Sequence, residues 1–420
     1  MTLIILAGFI FVILFTLFYR KFGERADKIQ TLEIFFLVLV AYLYLPSIVL
    51  LLDPEWRNFY VFYFDSELIL ATTQLSIASI FFGYYFLTRL EPRYSKNHRL
   101  LSIENIYISN IDKPLFILFI YINIFLMTFI VAHQLNEIIT LLQNPSLIDE
   151  YRINYRQGGW VGPVSVILKY TVLLAIPVSY ALRQKIQSRS YRYLYWLLIL
   201  SIIAFYLTQF FRGLFVFLIL TMFMSVIVFK KNVNYKKSFL FFAVFFLAII
   251  VSITIFRVSD QGEGVDVFFL IAKRMVTPSA QLGYVLDNYD SLGTLFGESY
   301  LNTIRSLGSG ADKGLSAKFF DGMGYAHDGG TATATFLADY YINFGYLGIF
   351  LCSFFTGIII RMIERIRLLK PKASSQVTYI FLTMIASRFV LTGLESALIP
   401  LIVLFMIACV YVTVKFIIKP

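Results

Sequence analysis

The chain has 420 residues, of which 59% are apolar and only 15% charged, against about 45–50% and about 25% in a typical soluble domain. Its mean hydropathy is +0.76 and its formal net charge +11. These values exclude multidomain soluble enzymes, and the two cysteines, Cys352 and Cys409, both inside apolar blocks, exclude a disulfide-framed secreted scaffold.

The apolar excess is arranged in blocks of about 17–23 residues with few charges, the length a helix needs to cross a hydrocarbon core. In chain order they run 2–19, 32–52, 67–88, 114–132, 162–182, 193–211, 213–229, 238–256, 335–360, 376–394 and 396–418. The expected fold is an all-α polytopic integral membrane protein with about eleven transmembrane helices. The pairs of blocks that meet at Arg212-Gly213 and at Gly393-Leu394-Glu395 read equally well as single broken helices. The N-terminal block lacks a basic region and a small-residue cleavage site before Arg20 and Lys21, so it is expected to stay as an uncleaved helix.

Three parts follow: helices one to eight in 1–256, a large loop in 257–334 and helices nine to eleven in 335–420. A loop of that length is usually functional or disordered. Apolar runs such as Val265 to Leu270 argue against disorder, so short amphipathic helices on the outer membrane surface are expected there. A second outer loop, 133–161, reads as a cap beside it.

Charge orients these spans. Of the 36 cations, 24 fall in alternate loops, among them Arg20, Lys21, Arg89, Arg93, Arg183, Lys185, Lys230, Lys231, Arg361 and Arg365. Eleven fall in the intervening ones, and Lys169 lies inside a span. Cytoplasmic loops attract Lys and Arg, so the N-terminus is expected outside, the C-terminus in the cytoplasm and 257–334 in the periplasm. Acidic residues show the reverse bias, with 18 of 25 on the outer side. The positive charge is thus a topology signal and calls for no nucleic-acid partner.

The outer cations act against this bias, and each has two readings. Arg212, in Thr208-Gln209-Phe210-Phe211-Arg212-Gly213, suits an arginine reaching from a helix end to lipid headgroups as well as a ligand contact. Arg257 ends helix eight, Arg274 and Arg305 lie in the large loop, and Arg388 interrupts helix ten. Taken together, five dispersed guanidinium groups suit a membrane-bound phosphate or pyrophosphate, because their planar forks grip phosphate oxygens at two points and never lose their proton. The sequence has no Walker motif, no zinc spacing, no recognisable paired-Asp metal signature and no nucleotide-binding glycine pattern. No cofactor and no metal are therefore expected, and energy comes from the substrate or an ion gradient.

His327, beside Asp328 and shortly before helix nine, reads as a general base or phosphate contact and equally as a loop cap. Asp339 puts an acid into an apolar run, which is costly unless it is paired or faces a polar cavity; it reads as the structural partner of an outer arginine. Tyr151, Tyr155, Tyr289, Tyr300 and Tyr325 suit either sugar stacking or an interfacial aromatic belt.

In order along the chain come the Arg212-Gly213 break, the late outer loop holding Phe296-Gly297-Glu298-Ser299-Tyr300, and a Gly-Gly-Thr phrase. Then follow a helix carrying Asp339-Tyr340-Tyr341 and Asn343-Phe344-Gly345-Tyr346-Leu347-Gly348, and the late Arg388. This arrangement resembles the bacterial O-antigen and related oligosaccharide repeat-unit polymerases, by motif over roughly 200–400 and elsewhere by topology alone. The resemblance implies an inner-membrane glycosyltransferase that moves a growing glycan from undecaprenyl pyrophosphate onto the next lipid-linked repeat unit at the outer face, without nucleotide sugars. It implies a chain-length regulator and a flippase as further partners. By motif it carries family arginines and a histidine onto Arg212, Arg257, Arg274, His327 and Arg388, while Arg305 matches no family position. Cations would stabilise charge on the departing pyrophosphate, and a base, His327 or a buried Glu298, would take the acceptor proton. Two rivals share these features: an O-antigen ligase, with a different acceptor, and a lipid-linked oligosaccharide flippase, in which Lys169 and Arg388 would line a path. Transporters commonly show internal repeats, and none is visible here. The sugars and their linkage are not legible in the sequence.

Overall fold

A computed structural model describes residues 30–60, 62–90, 106–144, 161–186, 188–209, 212–230, 267–288, 295–298, 323, 335–369 and 372–418. Nine of the eleven apolar blocks fall on these residues and all nine are helical; the blocks at 2–19 and 238–256 lie outside them. The helices are α1 (Thr31–Leu52), α2 (Ser66–Leu90), α3 (Asp112–His133), α4 (Leu135–Gln143) and α5 (Val161–Ile186). They continue with α6 (Arg189–Gln209), α7 (Arg212–Phe229), α8 (Val267–Asp287), α9 (Phe336–Leu369) and α10 (Ala373–Ile418). No strand occurs among the described residues, where pairing is limited to an isolated bridge between Tyr107 and Lys372. Among the described residues, eight helical segments are long and apolar enough to cross a membrane: Thr31–Leu52, Ser66–Leu90, Asp112–His133, Val164–Ile186, Arg189–Thr208, Phe336–Arg367, Ala373–Gly393 and Ala397–Val414. The chain is a multi-pass membrane protein whose described residues form helices and no strands.

Two units make up the chain. The first comprises 1–95, 272–364 and 385–398, and the second 96–271, 365–384 and 399–420. In the first, α1 is not a regular helix, and its sequence explains why. Pro46 has no N–H to give to the carbonyl of Tyr42 four residues back, and Val40–Tyr44 widens into a π-turn. The Ser279 hydroxyl, from α8, donates to the Tyr42 carbonyl at 3.2 Å and to that of Leu43 at 2.9 Å. Val276, Ala280, Leu282, Val285 and Leu286 of the same helix join the core. The one long helix described within 257–334 is therefore largely a core element.

Helices α2 and α9 run side by side in one direction, Ser76 hydrogen-bonding to Ser353 at 2.8 Å and Tyr84 to Glu364 further along. Their backbones touch. A Cβ on Gly357 would strike the carbonyl of Ile80, and one on Gly83 the carbonyl of Phe354, the small-residue contact that lets membrane helices approach closely. Around this crossing, Phe36 stacks on Phe81 with ring centroids 4.7 Å apart, and Phe35 meets Phe336 edge-on at 6.0 Å.

Two of the helices are broken by glycines with positive φ, Gly345 at 62° and Gly393 at 64°, conformations that a side chain resists. At Gly393 the chain doubles back, since Ala373 at the start of α10 bonds to Tyr107 and Tyr411 near its end bonds to Asp112, five residues further along the same stretch. The two spans expected at 376–394 and 396–418 are the arms of this hairpin. The break at Gly345 was not expected and corrects the single span read at 335–360. Tyr340 and Thr356 share a hydrogen bond of 2.7 Å, whereas sixteen residues of straight helix would separate them by about 24 Å. Phe336–Phe344 is thus a short helix folded back against Tyr346–Leu369. Residues 335–343, re-entrant in that the chain turns back on itself at Gly345, are buried throughout.

In the second unit, α3, α5, α6 and α7 pack together. Thr171 of α5 donates to Asn123 of α3 at 2.6 Å, so neither polar side chain is left unsatisfied between the helices. Arg183, near the end of α5, lies over the rings of Tyr180, Tyr195 and Trp196 at 5.9, 5.0 and 5.7 Å, which shields a guanidinium at a helix end.

Candidate functional site

The re-entrant helix of the first unit and the residue before it carry three of its buried polar residues, Thr335, Asp339 and Asn343. Thr335 caps it, its hydroxyl accepting from the Ala338 N–H at 3.3 Å. One turn on, Asp339 is 1% exposed and Asn343 is fully buried. The Asn343 amide donates to the Asp339 carbonyl at 2.8 Å, and its oxygen accepts from the Gly297 N–H at 2.8 Å. A second bond runs from the Leu295 N–H to the Ile342 carbonyl at 3.1 Å, and the Glu298 N–H closes a turn on the Leu295 carbonyl at 2.8 Å. The phrases Phe296-Gly297-Glu298 and Asn343-Phe344-Gly345, 46 residues apart between Gly297 and Asn343, are therefore one structure, a tight turn seated on the tip of the re-entrant helix. Gly348 completes the tip, because a Cβ there would meet the Tyr340 carbonyl.

Arg388 is half-buried on α10. The next residue, Phe389, packs its ring 5.5 Å from Phe336 and 5.9 Å from Tyr340. Those two residues flank Asp339 in sequence, so the Arg388 turn of α10 lies beside the Asp339 turn of the re-entrant helix. Of the residues read from sequence as site members, Glu298 and Arg388 both belong to the first unit, Glu298 exposed on the turn bonded to Ile342 and Asn343 and Arg388 on the helix whose Phe389 packs against Phe336 and Tyr340. His327, Arg257 and Arg305 lie outside the described residues, as do the side chains of Arg212 and Arg274 and all of Tyr151, Tyr155, Tyr289, Tyr300 and Tyr325. The backbone of Arg212 opens α7 in the second unit, and that of Arg274 lies in α8.

The tip is level with the start of α2, since Ser353 lies beside Ser76 and equal steps back along both helices reach Gly345 and Leu68. Exposed carboxylates mark this end: Asp65, Glu67, Asp287 and Glu298. Asp65 caps α2, its carboxylate accepting from the Glu67 N–H at 2.8 Å, and its own N–H donates to Asp287 at 2.6 Å. Partial burial raises the Asp287 pKa, the Asp65 N–H opposing this and the Asp65 charge adding to it. Among the described residues no cluster of His, Cys, Asp and Glu has the grouping to hold a metal ion.

A second buried charge lies at the other end of the α2–α9 pair, and sequence reading missed it. Glu364 is 4% exposed. It accepts from the Leu32 N–H at 3.2 Å and from the Tyr84 hydroxyl, and Arg361 approaches it at 3.5 Å while lying over the Tyr84 ring. Three donors converge on this carboxylate from α1, α2 and α9, so its hydrogen-bonding capacity is used within the protein. It satisfies an N–H that the first turn of α1 leaves unpaired and acts as a clamp. The comparisons with known proteins complete the picture: no family model, no curated protein and no solved structure matches the chain.

Proposed function

We propose that the chain is a repeat-unit polymerase of the bacterial inner membrane, with the N-terminus outside, the C-terminus cytoplasmic and about eleven crossings. It joins undecaprenyl-pyrophosphate-linked oligosaccharides at the outer face. One observation carries the reading: a buried Asp339–Asn343 helix holds the Phe296-Gly297-Glu298 turn and packs against the Arg388 segment. An acid, an arginine and an exposed carboxylate on one membrane unit are the groups that a charged, sugar-bearing lipid substrate requires.

In the reaction, an acceptor sugar hydroxyl bonds to the anomeric carbon of the donor glycan. The bond from that carbon to the pyrophosphate oxygen breaks, and undecaprenyl pyrophosphate leaves with the electron pair. Arg212, Arg257, Arg274, Arg305 and Arg388 are the cations assigned to the leaving group, where fixed guanidinium forks stabilise developing charge. His327 takes the acceptor proton; Glu298, the second choice of base, lacks the burial on which that reading depended, being exposed on its turn.

Arg212→Ala and Arg388→Ala should each abolish long glycan chains in cells while protein abundance and the single capped repeat unit persist. Lysine replacements should restore little, because an ammonium lacks the planar two-point contact. Gel profiles of the surface glycan read this directly. Full activity of the Lys variants would sink the pyrophosphate role, and a deletion that leaves polymer on its carrier would identify a ligase instead.

The orientation has its own test. Reporter fusions after Lys237 and Lys372 should be active only with a cytoplasmic reporter. A periplasmic signal at either point would invert the map and move the tip of the re-entrant helix to the wrong side for a lipid-linked glycan.

A further inference from the structure

Phe296 is an aromatic residue held in a conformation that its side chain opposes, at a place where its ring adds nothing to the core. Its φ is 45°, in the left-handed region where a bulky residue is an outlier. Its exposure is 80%, above that of every other exposed large apolar residue among those described. The backbone around it is fixed: Leu295 packs against the core and bonds to Ile342, Gly297 bonds to Asn343, and Glu298 bonds back to Leu295. Strain of this kind persists only where the surroundings impose it, and it concentrates at ligand-gripping positions. Here a buried asparagine and a re-entrant helix impose it, and the outcome is a phenyl ring presented outward.

The chemistry beside the ring selects the ligand. The exposed Glu298 lies two residues on, and Asp65, Glu67 and Asp287 stand exposed at the same end of the unit. A ring inserted into the bilayer would draw the Glu298 carboxylate towards hydrocarbon, which is costly. A pyranose suits both groups: its C–H face lies on the electron-rich face of the ring, and its hydroxyls donate to the carboxylate. We propose that Phe296 is the stacking platform for a sugar ring of the glycan substrate, with Glu298 as its hydroxyl acceptor. This rests on the polymerase reading for the identity of the glycan.

The test uses the full chain in detergent or lipid and the lipid-linked repeat unit extracted from cells that lack this protein. Phe296→Gly removes the ring and relieves the positive φ, so it should keep or raise the thermal midpoint while KM for the lipid-linked unit rises about tenfold, the scale of one aromatic contact. Phe296→Leu, apolar but without a π face, should match the glycine variant. Phe296→Trp should retain activity, and its emission, after subtraction of Trp56, Trp160 and Trp196 measured in the unmodified protein, should change when the water-soluble oligosaccharide released from that lipid is added. A fully active Leu variant overturns the proposal, as does tryptophan emission that shifts on transfer into phosphatidylethanolamine–phosphatidylglycerol vesicles and ignores the oligosaccharide. The two readings separate in the Phe296→Trp variant. Polymerisation without any change of its emission sinks the stacking role alone, while an emission response to the oligosaccharide from a protein that makes no polymer, with or without the substitution, sinks the polymerase reading alone.

Discussion

Glu364→Ala should lower the stability of the protein by about 3–5 kcal/mol, the range for removing one partner of a buried charged constellation. The reason is geometric. Leu32 N–H, Tyr84 hydroxyl and the Arg361 guanidinium all point at this one carboxylate, and truncation removes their shared acceptor, leaving Tyr84 only a 3.4 Å contact to Gln30 and Arg361 its 3.4 Å contact to the Tyr84 oxygen among the described bonds. The Leu32 N–H belongs to the first turn of α1, so helix initiation suffers together with the α1–α2–α9 contact. Glu364→Gln should fall between, because the amide oxygen still accepts but the amide N–H meets a donor. Tyr84→Phe removes one hydrogen bond to a charged group and should cost about 1.5–3 kcal/mol. Thermal midpoints followed by size exclusion in mild detergent would rank the three. If alanine at 364 leaves the midpoint where it was, the clamp is not holding the first unit together.

Gly357→Val should be as damaging by a different route. Overpacking a core usually costs about 1–3 kcal/mol because side chains shift to make room. At Gly357 the obstacle is the Ile80 carbonyl, with the Tyr84 N–H group 2.8 Å away, and neither can rotate aside. The helices must part, which breaks the Ser76–Ser353 bond and loosens the Tyr84–Glu364 contact beyond it. A cost at or above the upper end of that range is expected, read as loss of the monodisperse peak and a lower midpoint. Ile359→Val, two residues away on a side chain 55% exposed, should change little and controls for substitution in this helix. Wild-type yield and midpoint for the valine variant would mean that α2 and α9 do not cross at these residues.

Both effects depend on contacts between distant parts of the chain, and that is where sequence reading stopped. The apolar blocks at 32–52, 67–88, 114–132 and 376–394 correspond to helices Thr31–Leu52, Ser66–Leu90, Asp112–His133 and Ala373–Gly393 with ends a few residues apart. They were legible because membrane crossing is a local property: about 20 apolar residues satisfy their own backbone within one helix wherever it packs. Asp339 was legible as an anomaly for the same reason, as a costly acid in an apolar run. The fold-back at Gly345 was not. Asn343-Phe344-Gly345 interrupts the hydropathy of 335–360 too little to mark a boundary, and only the Tyr340–Thr356 bond reveals that the chain reverses. The length of 257–334 and its short apolar runs read as an outer loop with amphipathic surface helices, yet α8 enters the core, where Ser279 answers carbonyls of the π-turn that precedes Pro46.

The membrane class and most of the helix positions are thus properties of composition within short windows, which the sequence by itself determines. What seats the Phe296 turn on Asn343, sets the Arg388 segment beside Asp339 and gives Glu364 a partner in Leu32, 332 residues away, is the tertiary structure alone. Hydropathy states how much a residue gains by leaving water, whereas a hydrogen bond or a backbone crossing depends on which atom arrives opposite it, and that is decided only when the helices pack.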